Sequence, residues 1–241
     1  MEHVFHLHWG LHALLKVLRD HSFETVLDIG SGAGEHARFL RLFGKKVSTC
    51  NLFPPADWIG DFLTAPIEGS FDLIWCSHAL EHQRNPGLFL DKIYRLLRPD
   101  GVLALCLPHH PKARLVPGHL STWSLALACQ HLVYAGFDCK NISAFSSYEL
   151  SLIVQKSNGG PKAVATEPSW QEVKAYLPSC LEVGSEHEPS LLNWNEVFHY
   201  PLKGLESDCQ IKIESKNLDL YPLLRPSLSL EGKALTEGLN L

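Results

Sequence analysis

Short apolar runs alternate with amphipathic stripes along residues 1–156, the pattern of a sheet layered with helices. Val26-Leu27-Asp28-Ile29 is a run of strand length that leads into Gly30, Gly32 and Gly34, and His36 to Phe43 then takes helical spacing. Gly44 closes that helix and Lys46 to Leu52 reads as a second strand. Phe71 to Cys76 is a buried strand, Pro86 to Leu97 a helix, Arg98-Pro99-Asp100-Gly101 a turn and Val102 to Leu107 the next strand. Leu125 to Ala135 forms a further helix stopped by Gly136, and Phe137 to Ala144 and Leu150 to Gln155 read as strands. Ahead of them all, Leu11, Leu14, Leu15 and Leu18 share one face of a helix from Leu11 to Arg19. Strands alternating with helices predict a parallel, doubly wound α/β sheet with its ligand at the carboxyl ends of the strands.

Ser157-Asn158-Gly159-Gly160-Pro161 interrupts the pattern with linker composition. This divides the chain into a domain of residues 1–156 and a C-terminal extension of residues 157–241. In the extension, Ser169-Trp170-Gln171-Glu172 has capping-box spacing for a short helix, and Gln210 to Ser215 alternates like a strand with Ile211 and Ile213 on one face. Trp170, Trp194 and Tyr221 argue against simple disorder. The extension packs on the core, mediates a homodimer or meets a partner; the residues alone leave these open.

A chain of 241 residues that is 45% hydrophobic can bury one α/β core with an appendage left over. The net charge of −5 divides unevenly, with 14 basic and 14 acidic residues in 1–156 against 7 and 12 in 157–241. No broad basic surface therefore advertises a nucleic-acid partner. The cysteines at 50, 76, 106, 129, 139, 180 and 209 are odd in number and never spaced C-x-x-C, as expected of reduced, buried thiols in a cytoplasmic protein. No apolar run reaches the roughly 18 residues that span a membrane, and the basic-then-apolar plan of a signal peptide is absent, so a soluble protein is expected. Histidine is abundant, with 12 of its 14 copies at or before position 131. It is both a common metal ligand and the natural base near neutral pH.

Glycines at the end of a buried strand admit positive φ and let backbone approach a ligand, while the helix start offers free N–H groups to a polar one. Asp28, a carboxylate inside the apolar strand, requires a partner. The series Asp28-x-Gly30-x-Gly32-x-Gly34, with FDLIWCSHALEH and LLRPDGVLALCLP downstream, resembles class I S-adenosylmethionine-dependent methyltransferases from about Phe23 to Lys156. The resemblance implies a Rossmann-like, mostly parallel seven-stranded sheet whose last hairpin supplies an antiparallel strand. It also implies S-adenosyl-L-methionine as cofactor, with Asp28, Gly30, Ser31, Gly32 and Gly34 at its methionine end. Asp61 and Phe62 would meet the adenine, and Cys76, at the end of the fourth strand, would also line the cofactor. The position that usually carries an acidic residue for the ribose hydroxyls holds Asn51, which lacks the charge-assisted bidentate grip. The N-terminal helix would lie over the cofactor, with His3, His6, His8, Trp9 and His12 lining a lid, or it is a surface helix with solvated histidines.

His78-Ala79-Leu80-Glu81-His82 has H-x-x-E-H spacing, in which two histidines one helical turn apart could share a metal. Its place after the fourth strand matches instead the L-E-H sequence of the resembled methyltransferases. Small-RNA 3′-terminal 2′-O-methyltransferases and ubiquinone-pathway O-methyltransferases carry a divalent metal on an E-x-x-E-H motif there. By that likeness His78, Glu81, His82 and His119 form a candidate metal set, with imidazole in place of the first carboxylate shifting preference from magnesium toward zinc, iron or manganese. The metal-free reading, in which these side chains orient loops or substrate, is favoured. His109 and His110 follow the fifth strand in a Pro-His-His-Pro loop.

Methyl transfer requires in-line positioning and, for an oxygen acceptor, removal of a proton. The reaction expected is O-methylation of a small hydroxylated molecule, with His78, His82, His110 or His119 as base; nitrogen and carbon acceptors stay open. RNA methylation would need a basic face that the composition does not supply. The alternative is a degenerate fold acting as a non-catalytic binding or scaffold subunit. Asn51 favours it and the intact glycine series opposes it.

Overall fold

A computed structural model describes residues 2–109, 115–158, 161, 169–185, 187–194, 199–202, 210–214, 227–230 and 233–234. In chain order the elements begin β1 (Glu2–His6), α1 (Leu11–Asp20), β2 (Thr25–Ile29), α2 (Glu35–Leu42), β3 (Lys46–Asn51), β4 (Trp58–Ile59) and β5 (Phe71–Ser77). A 3-10 turn at Leu80–His82 precedes α3 (Pro86–Leu96), β6 (Leu97–Pro108), α4 (Leu125–Ala135), β7 (Ser143–Ser146) and β8 (Glu149–Gln155). The extension adds α5 (Trp170–Lys174), β9 (Leu191–Leu192), β10 (His199–Leu202), β11 (Gln210–Glu214), β12 (Ser227–Leu230) and β13 (Lys233–Ala234).

The main sheet has the order β4-β3-β2-β5-β6-β8-β7-β9. Neighbours from β4 to β6 are parallel, and β8 runs antiparallel to both β6 and β7. These are the seven expected strands plus an eighth, β9, which the extension lays antiparallel against β7. The side-chain period of two along the buried strands builds a core on each face. Leu27, Ile29, Ile74, Cys76, Leu103 and Leu105 turn toward α3 and α4, whereas Val26, Leu73, Trp75, Val102, Ala104 and Cys106 turn toward α1 and α2.

Two sequence expectations shift. The turn at Arg98–Gly101 lies within β6 as a bulge: Phe71 pairs with Leu97, the register then slips, and Leu73 pairs with Val102. Asp100 takes φ +61° there. The strand expected over Phe137 to Ala144 shortens to Ser143–Ser146, because Lys140 N–H bonds to Asp138 Oδ1, Ile142 N–H to the Cys139 carbonyl and Cys139 N–H to the Tyr176 carbonyl, a turn rather than a ladder.

The N-terminal helix is not a surface helix. Every residue of α1 from Leu11 to Val17 is buried, His12 and Lys16 included. The sheet covers its leucine face and the extension covers the other. His12 Nδ1 lies 3.2 Å from the Tyr200 hydroxyl, Lys16 Nζ sits 5.1 Å over the Trp194 ring and the Arg19 guanidinium 5.0 Å over that of Tyr200. Strand β1 pairs in parallel with β11, so the extension also grips the N-terminal strand. Strands β10, β12 and β13 form a small sheet of their own. Tyr221 and Ser215 lie outside the described residues, while the capping box of Ser169 and Glu172 opens α5 as the spacing predicts. Among the described residues no helix is long and apolar enough to cross a membrane.

Candidate functional site

Strand order reverses on the two sides of β2, which places a crevice beyond the carboxyl ends of β2, β3 and β5. At that end of β2 the chain takes positive φ at Gly30, Gly32 and Gly34, with values of 75°, 52° and 81°. Gly30 is fixed by packing, since a Cβ there would come within 2.8 Å of Ala79 Cβ. At Gly32 and Gly34 a Cβ would meet nothing within 4 Å, so this turn borders open space. The Gly30 N–H bonds to the Cys50 carbonyl and the Gly34 N–H to that of Ser31, each at 2.8 Å.

Two buried polar atoms at this turn have no hydrogen-bond partner, Asp28 Oδ2 and Ser31 Oγ. Asp28 is 1% exposed. Burial pushes its pKa from 3.8 to about 7, against the opposing pull of the Arg41 charge and the Ala37 N–H. A buried carboxylate left in this state favours a cation or donor brought by a ligand.

Around the crevice, Asn51 ends β3 and donates Nδ2 to the Phe53 carbonyl at 2.8 Å. Asp61 is exposed; its Oδ1 accepts from the Leu63 N–H at 3.0 Å, and Lys92 Nζ ties that loop to α3 through the carbonyls of Phe62, Leu63 and Ala65. Phe62 is only 4% exposed; its ring meets that of Phe89 edge to face, and the Lys92 ammonium lies over it at 4.8 Å. Cys76 is fully buried, and burial holds its thiol protonated far above the ordinary range. Asn51 is thus half-buried and Asp61 exposed, each bonded to its own loop, whereas the side chains of Phe62 and Cys76 belong to the core.

The second wall is the turn after β5. His78 takes φ +53°, and both its ring nitrogens face carboxylates: Nε2 lies 3.0 Å from Glu149 Oε2 and Nδ1 3.3 Å from Glu81 Oε1. Burial opposes a charge on this ring, but the two acidic neighbours outweigh it and raise its pKa to about 9. Glu81 is fully buried and neither of its oxygens completes a hydrogen bond among the described residues; the His78 contact has ion-pair distance without hydrogen-bond geometry. His82 Nδ1 donates to the Gly118 carbonyl at 2.8 Å, so that in the neutral ring Nε2 is the acceptor, and Nε2 lies 3.8 Å from Glu81 Oε1. The Leu120 N–H bonds to the Glu81 carbonyl at 2.7 Å and so docks the 115–120 segment on this turn. The His119 and His82 rings then meet edge to face at 4.9 Å.

Of the residues singled out by sequence, the fold brings the glycine turn and the 78–82 turn into contact at Gly30 and Ala79, and adds His119 to the latter. Donor atoms of Glu81, His82 and His119 lie within 4.8 Å of one another; His78 is not in that group. His110 lies outside the described residues, and His109, directly after β6, has a buried Nδ1 without a hydrogen-bond partner among the described residues. Of the proposed lid residues, Trp9 meets His78 at a tilt of 38° with ring centres 4.5 Å apart, while the side chain of His6 is exposed and His12 turns into the core. Sequence reasoning missed Glu149, Gly10, Gly118 and Lys92. A buried glutamate opening an apolar strand was the one visible signal among them.

A family model described as a methyltransferase domain matches residues 7–158. Malonyl-[acyl-carrier protein] O-methyltransferase of Salmonella typhimurium is 33% identical over 118 residues, 42% of this chain and 47% of that protein. The 2-methyl-6-phytyl-1,4-hydroquinone methyltransferase of Synechocystis sp. is 29% identical over 117 residues, 41% of this chain and 36% of that one. The chain thus spans half or less of the length of these curated relatives. Among solved structures, Burkholderia thailandensis 1,6-didemethyltoxoflavin-N1-methyltransferase, bound to its substrate and S-adenosylhomocysteine, shares the fold, with TM-score 0.52 and 19% identity over 62% of this chain and 79% of that one.

Proposed function

We propose a reaction for this chain, which belongs to the methyltransferase-domain family and is an S-adenosylmethionine-dependent enzyme: methylation of an oxygen on a small hydroxylated acceptor. S-Adenosylmethionine supplies an electrophilic methyl group on a sulfonium, so the protein has only to position the acceptor and take its proton. Asp28, Ser31 and the open face of the glycine turn suit the polar methionine end, because a buried carboxylate and hydroxyl lack partners there. Asn51 and Asp61 suit the ribose and adenine edges.

The observation that carries the reading is the setting of His82. Its Nδ1 is committed to the Gly118 carbonyl, its Nε2 is left to accept, and its side chain is 45% exposed at the crevice wall. His78, with both nitrogens on carboxylates and a raised pKa, is suited to orienting the turn rather than to proton removal. The two curated relatives, one named for O-methylation and one for a hydroquinone substrate, are consistent with an oxygen or ring-bearing small acceptor. Calorimetric titration with S-adenosylmethionine tests the premise: a saturable heat at a 1:1 ratio is expected, and none at millimolar cofactor would return the chain to the scaffold alternative.

A metal is a second reading, favoured by the donor set Glu81, His82 and His119. One carboxylate and two imidazoles suit zinc, iron or manganese, and a bound ion would lower the pKa of a hydroxyl acceptor. The two readings compete for His82 Nε2. Elemental analysis of untagged protein separates them: about one ion per chain, lost in His119→Ala, supports the metal, and a content near zero leaves His82 as the base.

A further inference from the structure

One buried carboxylate has no part in the reaction as described so far. Glu149 opens β8 and is fully buried. Its Oε1 and Oε2 accept from the Gly10 N–H at 2.8 and 2.9 Å, and Oε2 also meets His78 Nε2 at 3.0 Å. Gly10 is the residue before α1, with φ +72° and no room for a side chain, because a Cβ would come within 2.6 Å of the Trp75 ring. Trp9, next to it, lays its indole over His78, and its carbonyl accepts from His36 Nε2 at 2.9 Å. His36 stands in the first turn of α2, directly after the glycine turn, and His78 follows β5. The Trp9-Gly10 corner is therefore fastened to both walls of the crevice, and Glu149 is the only charged group among its fastenings that is itself fully buried.

We propose that Glu149 is a positioning residue for methyl transfer, its carboxylate holding the Trp9-Gly10 corner and His78 together so that the indole closes the crevice over the ends of β2 and β5. Trp9 is 41% exposed, so one face packs on His78 and the other is presented outward, where a bound cofactor and acceptor would meet it. Tyr148, whose ring lies 6.0 Å from that of Trp9, completes the aromatic side of the corner. The carboxylate is suited to this work because two donors from distant segments, an amide and an imidazole, converge on it, and a buried charge with its donors removed is costly.

This rests on the crevice being the cofactor site. The probe is S-adenosylhomocysteine, with dissociation followed by stopped flow and amide exchange by mass spectrometry on Glu149→Gln and Trp9→Ala proteins. In Glu149→Gln, dissociation is expected to quicken about tenfold and amides 7–12 to lose far more protection than amides 25–29. Trp9→Ala, a change at an exposed ring, is expected to quicken dissociation similarly, and the double variant to be no faster than Trp9→Ala alone. Unchanged dissociation in both single variants overturns the proposal, as does fully additive behaviour in the double variant or loss of protection spread evenly over the chain. If wild-type protein binds no S-adenosylhomocysteine, the cofactor assignment fails instead, and that outcome reads differently from every one of these.

Discussion

The glycine turn after β2 and the histidine turn after β5 touch at Gly30 and Ala79, yet they are made in opposite ways. The first is a backbone device. Its shape comes from three consecutive-but-one glycines at positive φ, its polar groups from Asp28 and Ser31 beside them, all within Asp28–Gly34. The second is a side-chain device. Its residues Glu81, His82 and His78 are local, but what orients them is not: Glu149 comes from β8, Gly118 and His119 from the segment before α4, and Trp9 from the corner before α1. A binding turn of the first kind is damaged by adding atoms, whereas a chemical turn of the second kind is damaged by removing them.

The largest effect should follow from removing one. His82→Gln keeps bulk and polarity but loses the acceptor nitrogen held by Gly118. On an acceptor found by screening, turnover should fall by about 10²–10⁴, the usual contribution of a positioned base, with S-adenosylhomocysteine affinity within about threefold of wild type. A loss of affinity as large as the loss of turnover would mean that the two turns are not separate devices.

Adding atoms to the other turn comes next. Gly30→Val places a β-branched side chain at φ +75° with its Cβ 2.8 Å from that of Ala79, so both the turn and the histidine wall must move. Strain and overpacking of roughly 2–4 kcal/mol should weaken calorimetric cofactor binding by about 10²-fold or more. Gly32→Ala, facing open space, bears only the cost of φ +52° and should lose far less. Equal losses at the two positions would show that packing on Ala79 is irrelevant.

How much of each device was legible follows from this division. The period-two strands around Leu27 and Ile74 and the glycine series are local patterns, and the structure has them within a residue or two of their sequence bounds, whereas the strand around Leu103 begins five residues early because the Arg98–Gly101 turn is a bulge inside it. Leu11, Leu14 and Leu15 announced α1, but nothing local told that His12 and Lys16 on its other side would be covered by Trp194 and Tyr200, nearly two hundred residues on. The pairing of β1 with β11 is a contact between the chain's two ends, and parallel pairing leaves no hairpin turn to betray it. Glu149 went unread in the sequence, because the Gly10 N–H and the His78 ring that converge on it come from segments far along the chain.

Asp28 gives the backbone device a pH signature of its own, in a window below that of His78, whose pKa is raised from 6.5 to about 9. Its folded-state pKa of about 7 stands above the ordinary 3.8, so the folded state holds the proton more tightly than the unfolded one. This costs nothing below pH 3.8, and stability is lost progressively as pH rises from about 4 to 7, up to roughly 4 kcal/mol for a shift of about three units at 1.36 kcal/mol each. Asp28→Asn should therefore stabilise the cofactor-free protein by about 2–4 kcal/mol in urea denaturation at pH 8, and change little at pH 4. Cofactor binding to wild type should strengthen as pH rises through about 7, because the ammonium of its methionine end favours the ionised carboxylate. A flat affinity profile from pH 6 to 8 would detach Asp28 from the cofactor.

The smallest expected effect lies at Asn51, the one place where the glycine turn's partner strand is itself a side-chain device. Two terms oppose each other in Asn51→Asp. A carboxylate can grip both ribose hydroxyls with charge-assisted bonds, a gain of about 1–3 kcal/mol. The same change sets an oxygen against the Phe53 carbonyl, which now accepts from Asn51 Nδ2 at 2.8 Å, and so forfeits about 1 kcal/mol and loosens the 52–57 loop. The gain exceeds the loss modestly, so cofactor affinity should rise about threefold to tenfold by calorimetry, with faster amide exchange at Phe53. An affinity that falls would mean that Asn51 serves the loop before it serves the ribose. The crevice would then be bounded by backbone at β2 and by loop structure at β3, leaving the histidine turn as its one wall of specific side-chain chemistry.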